Sequence, residues 1–178
     1  MARCRLSAAL ESAKLVLPDG PVRVLRPPVD YDLSALDAAR VEIEHGFKPA
    51  HDTWRERGYA VAETTGPVST VLVVVPRSKA LARQLIARAR TDATDLVIVD
   101  GDRTDGVDSL YKACRGWAPV AGSLTKAHGR LFWFPPEGRP DQDTPDQRVE
   151  GFRTRPGVFS EGRIDPGSRQ LAGVLPPL

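Results

Sequence analysis

The run Val71–Val75, VLVVV, constrains the fold more than any other stretch of the chain. It is unbroken by polar residues, rich in β-branched side chains and bounded by Thr70 and Pro76. Such a run reads as a strand covered on both faces, which requires a sheet sandwiched between helices. The residues that follow supply those helices. Ser78 offers an N-cap for a helix over Lys79–Arg90, in which Leu81, Ala82, Leu85 and Ala89 form one apolar stripe. Leu96–Val99 reads as a second buried strand. Asp105–Cys114 reads as a helix, with Val107, Leu110, Tyr111 and Cys114 at i, i+3, i+4 and i+7. Arg130–Phe134, RLFWF, is a third apolar strand. Strand–helix alternation predicts an α/β, Rossmann-like domain with a parallel or mixed sheet and flanking helices.

The earlier residues extend the pattern. A short helix is expected over Ala8–Leu17, from the spacing of Leu6, Leu10, Ala13 and Leu17. Val22–Leu25 and Val41–His45 read as strands, Pro49–Arg57 as helix and Tyr59–Ala62 as extended chain.

Proline marks a boundary. Residues 135–178 hold 8 of the 16 prolines and 6 of the 15 glycines. Pro135–Gly151, PPEGRPDQDTPDQRVEG, has no apolar period and reads as a linker or long loop. The expected division is a domain over 1–134, a linker over 135–150 and a different unit over 151–178. In the last, turn signals at Pro156-Gly157 and Glu161-Gly162 flank a short strand, Val158–Ser160. Asp165 then caps a helix that begins with Pro166 and runs to about Val174.

Composition excludes several classes. In 178 residues, 25 Lys and Arg face 23 Asp and Glu, a net charge of +2 that by itself demands no nucleic acid. No apolar run is long enough to span a membrane, and Glu11 and Lys14 interrupt the stretch a signal peptide would need. Two cysteines, Cys4 and Cys114, are too few for a disulfide framework, so a reducing cytoplasm is expected. Neither G-x-G-x-x-G nor G-x-x-x-x-G-K-[ST] occurs, so no phosphate-cradling loop is recognisable.

Four constellations carry candidate chemistry. Asp100, Asp102, Asp105 and Asp108 follow a strand end, where α/β proteins place ligand groups. They suit either Mg²⁺ in a small metal-dependent phosphoesterase or nuclease, or turn formation and helix capping. His51-Asp52 resembles a metal phosphohydrolase pair but lacks further ligands at suitable spacing. Ser123, Lys126 and His128 would suit a Ser–Lys or Ser–His pair, without the sharp elbow such a serine needs. Between Arg77 and Arg90 lie five cations and no acid. On that helix Lys79, Arg83 and Arg90 share one edge, which reads either as a solvated face or as an RNA phosphate contact.

Three stretches, DGDRTDGVDSLYKAC (Asp100–Cys114), SLTKAHGRLFWFP (Ser123–Pro135) and GFRTRPGVFSEGRIDPGSRQLAGVLP (Gly151–Pro176), resemble one family when taken in this order. They are similar to bacterial class I S-adenosylmethionine-dependent methyltransferases of the ribosomal small subunit methyltransferase C type. The resemblance implies two tandem methyltransferase-like domains. The first is degenerate and without cofactor residues. The second binds S-adenosylmethionine and methylates the N2 amine of a guanine in 16S rRNA. Residues 1–134 then correspond to the degenerate domain and 151–178 to the lead-in to the catalytic one. The family's acidic, glycine-rich cofactor loop and its Asn-Pro-Pro-aromatic motif do not occur in this sequence. No catalytic residue is therefore expected here, S-adenosylmethionine is not expected to bind this chain alone, and the chain reads as a fragment. Phe159, Ser160, Asp165, Gly167 and Ser168 match the lead-in and would border the cofactor and substrate cleft. The implied partners are 16S rRNA and the small ribosomal subunit, with neither membrane nor DNA. A structural partner that docks onto a separate catalytic chain is a further possibility.

Overall fold

The structure is a computed structural model that describes residues 4–61, 66–137, 147–154, 156–157 and 163–175. Helix α1 (Arg5–Glu11) precedes β1 (Val22–Leu25) and β2 (Val41–Glu44). Then come α2 (Lys48–Glu56), β3 (Ala60–Val61), β4 (Val68–Val74), α3 (Lys79–Asp92) and β5 (Ala93–Asp102). Next are α4 (Val107–Cys114), β6 (Gly122–Lys126) and β7 (Gly129–Phe134). A separate two-stranded ladder of β8 (Gln147–Val149) and β9 (Phe152–Thr154) leads to α5 (Pro166–Val174).

The main sheet has the strand order β3-β2-β1-β4-β5-β7-β6. The first five strands are mutually parallel, whereas β7 runs antiparallel between β5 and β6. This is the α/β sheet expected from the sequence, in its mixed form. Every residue of β4 is buried. Val71 and Val73 join Leu85, Ile86, Val97, Val99, Phe132 and Phe134 beneath α3 and α4. Leu72 and Val74 join Val24, Ile43, Trp54, Ile98, Leu131 and Trp133 beneath α1 and α2. Each such aliphatic side chain contributes about 1.5–3 kcal/mol on leaving water, so VLVVV holds both layers at once.

Caps set the helix limits. The Leu81 amide donates to Ser78 Oγ at 3.1 Å, and the Ser168 amide donates to Asp165 Oδ2 at 2.9 Å. The first helix departs from expectation. It stops at Glu11 because Ala13 turns into the left-handed region at φ 52, which redirects the chain and buries Leu15. The second ladder begins at Gln147, inside the stretch read as linker. The strand expected over Val158–Ser160 lies outside the described residues.

One face of β1 and β2 is polar. Arg23 Nε lies 2.8 Å from Glu42 and its Nη1 lies 3.1 Å from Asp92 of α3. Arg88, also on α3, meets both oxygens of Glu44 at 2.5 and 2.7 Å and Asp92 at 3.2 Å. The α3 side of these strands is thus joined to the helix by ion pairs as well as by Leu25, which is buried in the cluster beneath α3.

Candidate functional site

The strand order reverses between β1 and β4. The chain leaves β1 towards β2 and β3, then returns to place β4 on the other side. Such a reversal opens a crevice at the carboxyl ends of the strands, where open α/β sheets take their ligands. Here the crevice has a volume of about 360 Å³, with Val74, Val75, Pro76 and Gly101 among its lining. Arg5, Arg26, Tyr31, His45, Arg77 and Asp102 supply its polar groups.

The loop after β1 shapes one wall. Arg26 sits at φ 54, a left-handed conformation that costs a residue with a Cβ about 1–2 kcal/mol. It is held there because its amide donates to the Glu44 carbonyl at 2.8 Å. The next carbonyl, of Pro27, accepts from the buried Trp54 Nε1 at 3.2 Å. The loop then turns at Pro28, and Tyr31 reaches across to β5, where its hydroxyl donates to Asp100 Oδ2 at 2.6 Å. Arg5 of α1 closes the other side. Its Nε lies 2.5 Å from Asp100 Oδ1 and its Nη2 lies 2.9 Å from Asp102. Its Nη1 donates to the carbonyls of Lys126 and Ala127 at 3.3 Å.

Asp100 is 1% exposed. Burial pushes its carboxyl above the ordinary aspartate range, against the pull of Arg5 and Tyr31. Burial, then the Asp100 charge, pushes the Tyr31 hydroxyl well above its ordinary value. His45 behaves oppositely. Burial first, then Arg26 and His51, hold its imidazole below the usual histidine range, so it is neutral near pH 7.

The acidic cluster read from the sequence is thus divided among arginines. Asp100 and Asp102 meet Arg5, Asp105 lies 4.0 Å from Arg77, and Asp108 meets Arg130 at 2.7 Å and Arg103 at 3.4 Å. Among the described residues no group of three or more His, Cys, Asp or Glu side chains converges as a metal would require. The metal-dependent phosphoesterase built on Asp100, Asp102 and Asp105 is therefore not supported. His51 is tied to Asp52 at 3.2 Å, and Lys48 pairs with the same carboxylate. Ser123 and Lys126 are three apart on β6, so they point to opposite faces, and His128 stands in the turn to β7.

The basic edge of α3 is split. Lys79 and Arg83 are exposed, but the Arg90 guanidinium lies over the Trp117 ring at 4.5 Å. Asp165 and Ser168 line a second recess, of about 290 Å³, together with Phe152, Arg153 and Arg163. There Asp165 caps α5, and a Cβ on Gly167 would come within 3.1 Å of its carboxylate. Phe159 and Ser160 lie outside the described residues. The sequence reading missed Arg5, Arg26, Tyr31, His45 and Arg77 as a group. Its one available signal was Arg26-Pro27-Pro28 directly after a strand, where a ligand-cradling turn would carry glycine.

No family model matches the chain. Among curated proteins it resembles ribosomal RNA small subunit methyltransferase C of Vibrio cholerae serotype O1. The two are 27% identical over 121 residues, which cover 61% of this chain and 36% of that protein. The same enzyme of Aliivibrio fischeri strain MJ11 is 27% identical over 138 residues, covering 68% and 39%. The Vibrio vulnificus enzyme is 26% identical over 143 residues, covering 72% and 42%. The chain thus spans about two fifths of the length of these relatives. Among solved structures it matches the T. thermophilus 16S rRNA N2 G1207 methyltransferase in complex with AdoMet and guanosine. That match has a TM-score of 0.67 and 19% identity, over 97% of this chain and 52% of the other. A putative methyltransferase from Pseudomonas syringae matches with a TM-score of 0.57 and 15% identity, over 73% and 96%. The fold is therefore that of these methyltransferase structures, and in sequence the chain is similar to ribosomal RNA small subunit methyltransferase C.

Proposed function

We propose that this chain is the non-catalytic, RNA-contacting α/β part of an S-adenosylmethionine-dependent 16S rRNA (guanine-N2) methyltransferase. The observation that carries the reading is the state of the crevice, which stands where a sheet of this kind binds its ligand but is built from groups unsuited to the cofactor. After β1 comes Arg26-Pro27-Pro28, not a glycine turn that would let a backbone approach a ribose or amino-acid tail. Glu44, the acid at the end of β2, is engaged bidentately by Arg88. Asp100, at the end of β5, is spent on Arg5 and Tyr31. The residues present do not fit S-adenosylmethionine. Residues 1–134 thus act as a scaffold that presents charge to RNA, with Lys79 and Arg83 on the exposed edge of α3 as phosphate contacts. The match of Asp165, Gly167 and Ser168 to the catalytic lead-in supports assigning 151–178 to the start of a second unit.

Two measurements test this. Isothermal titration with S-adenosylmethionine should give no binding heat, and a micromolar complex would overturn the non-catalytic reading. Binding to a 16S rRNA fragment should weaken with salt, by roughly 0.7–0.9 in log–log slope for each phosphate contact. A salt-independent or absent interaction would overturn the RNA reading.

A further inference from the structure

We infer that the crevice mouth, lined by Arg26, His45 and Arg77 with the exposed Phe47 two residues beyond His45, is the seat of one unpaired RNA nucleotide, with a backbone phosphate on the arginines and a base on Phe47. This deepens the proposed function and rests on its RNA reading.

Four observations converge on that corner. Arg26 makes no ion pair among the described residues, whereas Arg5 beside it is spent on Asp100 and Asp102. Arg77 is 97% exposed and only 4.0 Å contact distance from Asp105 holds it, so its guanidinium is available to a ligand. Phe47 is a large aromatic left 60% exposed at the start of α2. Its amide donates to His45 Nδ1 at 3.1 Å, which fixes the ring's backbone directly beside a crevice-lining residue. His45 is held low by its burial first and then by Arg26 and His51, which places positive charge beside it in the crevice.

A glycine would occupy φ 54 without strain, yet Arg26 stands there and carries its guanidinium to the crevice. Of the described non-glycine residues with positive φ, Arg26 is the one that lines the crevice. Size and chemistry then select the ligand. A volume of about 360 Å³ is at the small end for ligand clefts and suits a single nucleotide rather than a duplex. An aromatic platform reaches a base only when that base is unstacked, as in single strands and loops.

Arg26→Gly and Phe47→Ala test this by fluorescence anisotropy with a labelled 12-nucleotide single-stranded RNA and a duplex of the same sequence. Arg26→Gly removes the guanidinium while relieving the strain, so thermal stability should hold or rise while affinity falls. Its log affinity against log salt slope should become shallower by about 0.7. Phe47→Ala should weaken single-strand binding about tenfold and leave duplex binding unchanged. If both variants bind like the unaltered chain while Lys79→Ala with Arg83→Ala weakens binding, RNA lies on the α3 edge and the crevice assignment is overturned. Equal loss on single strand and duplex would overturn the unpaired-nucleotide assignment. If the unaltered chain binds neither RNA, the RNA reading itself falls.

Discussion

Tyr31 and Asp100 are 69 residues apart in sequence, and a hydrogen bond of 2.6 Å joins them across the carboxyl edge of the sheet. It ties the irregular β1–β2 loop to the end of β5, and Arg5 ties α1 to the same carboxylate. The three segments already share the apolar cluster of Leu6, Leu33 and Ile98, and one buried acid adds a polar tie among them.

Tyr31→Phe should therefore loosen the crevice rather than the core. It leaves Asp100 with Arg5 and without its hydroxyl donor, at a cost of about 1–3 kcal/mol. Urea denaturation of the two chains measures it. A change within a few tenths of a kcal/mol would show that the bond contributes nothing net.

The same pair sets the pH response. Tyr31 holds its proton more tightly when folded than when unfolded, through burial and the Asp100 charge. Its contribution is fully present below the unfolded value of 10.0 and is lost as pH climbs above it. Melting temperatures between pH 9 and 11 should fall for the unaltered chain. Tyr31→Phe should show a weaker alkaline decline, and identical declines would refute the assignment.

Arg23→Ala should cost about 3 kcal/mol, because it removes a guanidinium only 2% exposed from its ion pairs with Glu42 and with Asp92, leaving Asp92 to Arg88. Arg88→Ala should cost less, about 1 kcal/mol, since its own side chain is 35% exposed against 2% for Arg23 and Asp92 keeps Arg23 as a partner. Thermal melts rank the two, and the reverse order would contradict the network as described.

Arg90→Ala should lose about 1 kcal/mol through its contact with Trp117, whereas Arg83→Ala should be neutral in stability. Tryptophan fluorescence and thermal melts separate these roles. Neutral behaviour at both positions would return Arg90 to the RNA-facing edge.

Two glycines should respond in opposite directions. A Cβ on Gly129 would meet the Arg5 guanidinium and lie 2.6 Å from the Gly101 carbonyl oxygen, so Gly129→Ala should destabilise by about 1–3 kcal/mol. Gly173, in α5, has nothing within 4 Å, so Gly173→Ala should raise helicity and stabilise α5 by about 0.5–1 kcal/mol. Circular dichroism and denaturation together check both signs.

Where side-chain pattern and burial coincide, the sequence was legible. VLVVV supplies most of β4, which starts earlier at Val68 and stops at Val74, and the Asp165-Pro166 start of α5 is where capping chemistry puts it. RLFWF is β7, but its direction was not legible, because a strand covered on both faces has the same composition whichever way it runs. β6 escaped notice because GSLTK is half exposed at the sheet edge and shows no apolar signal. The helical spacing of Leu6, Leu10, Ala13 and Leu17 was misleading, since the left-handed turn at Ala13 is a tertiary choice that buries Leu15. The crevice was the least legible part. Its groups come from α1, two loops and three strand ends, and no local period links Arg5 to Asp100 or Arg26 to Arg77. Nor did charge alone reveal that Arg90 faces a tryptophan.

The strand order also dictates how this chain must leave the ribosome. β1 emerges early, yet it is central and pairs on both sides, with β2 and with β4, whose Thr70 stands opposite Val22. At synthesis rates of roughly 5–20 residues per second, one edge of β1 stays open for seconds. An apolar strand with an open edge is a template for pairing with the wrong chain. The charges of Arg23 and of its neighbours Glu42 and Glu44 fall within that interval. Arg23 and Glu42 can pair with each other before α3 is made, whereas Glu44 waits for Arg88, so unpaired charge interrupts that face of the half-sheet until the helix docks, and charge beside an open strand edge discourages pairing with the wrong chain.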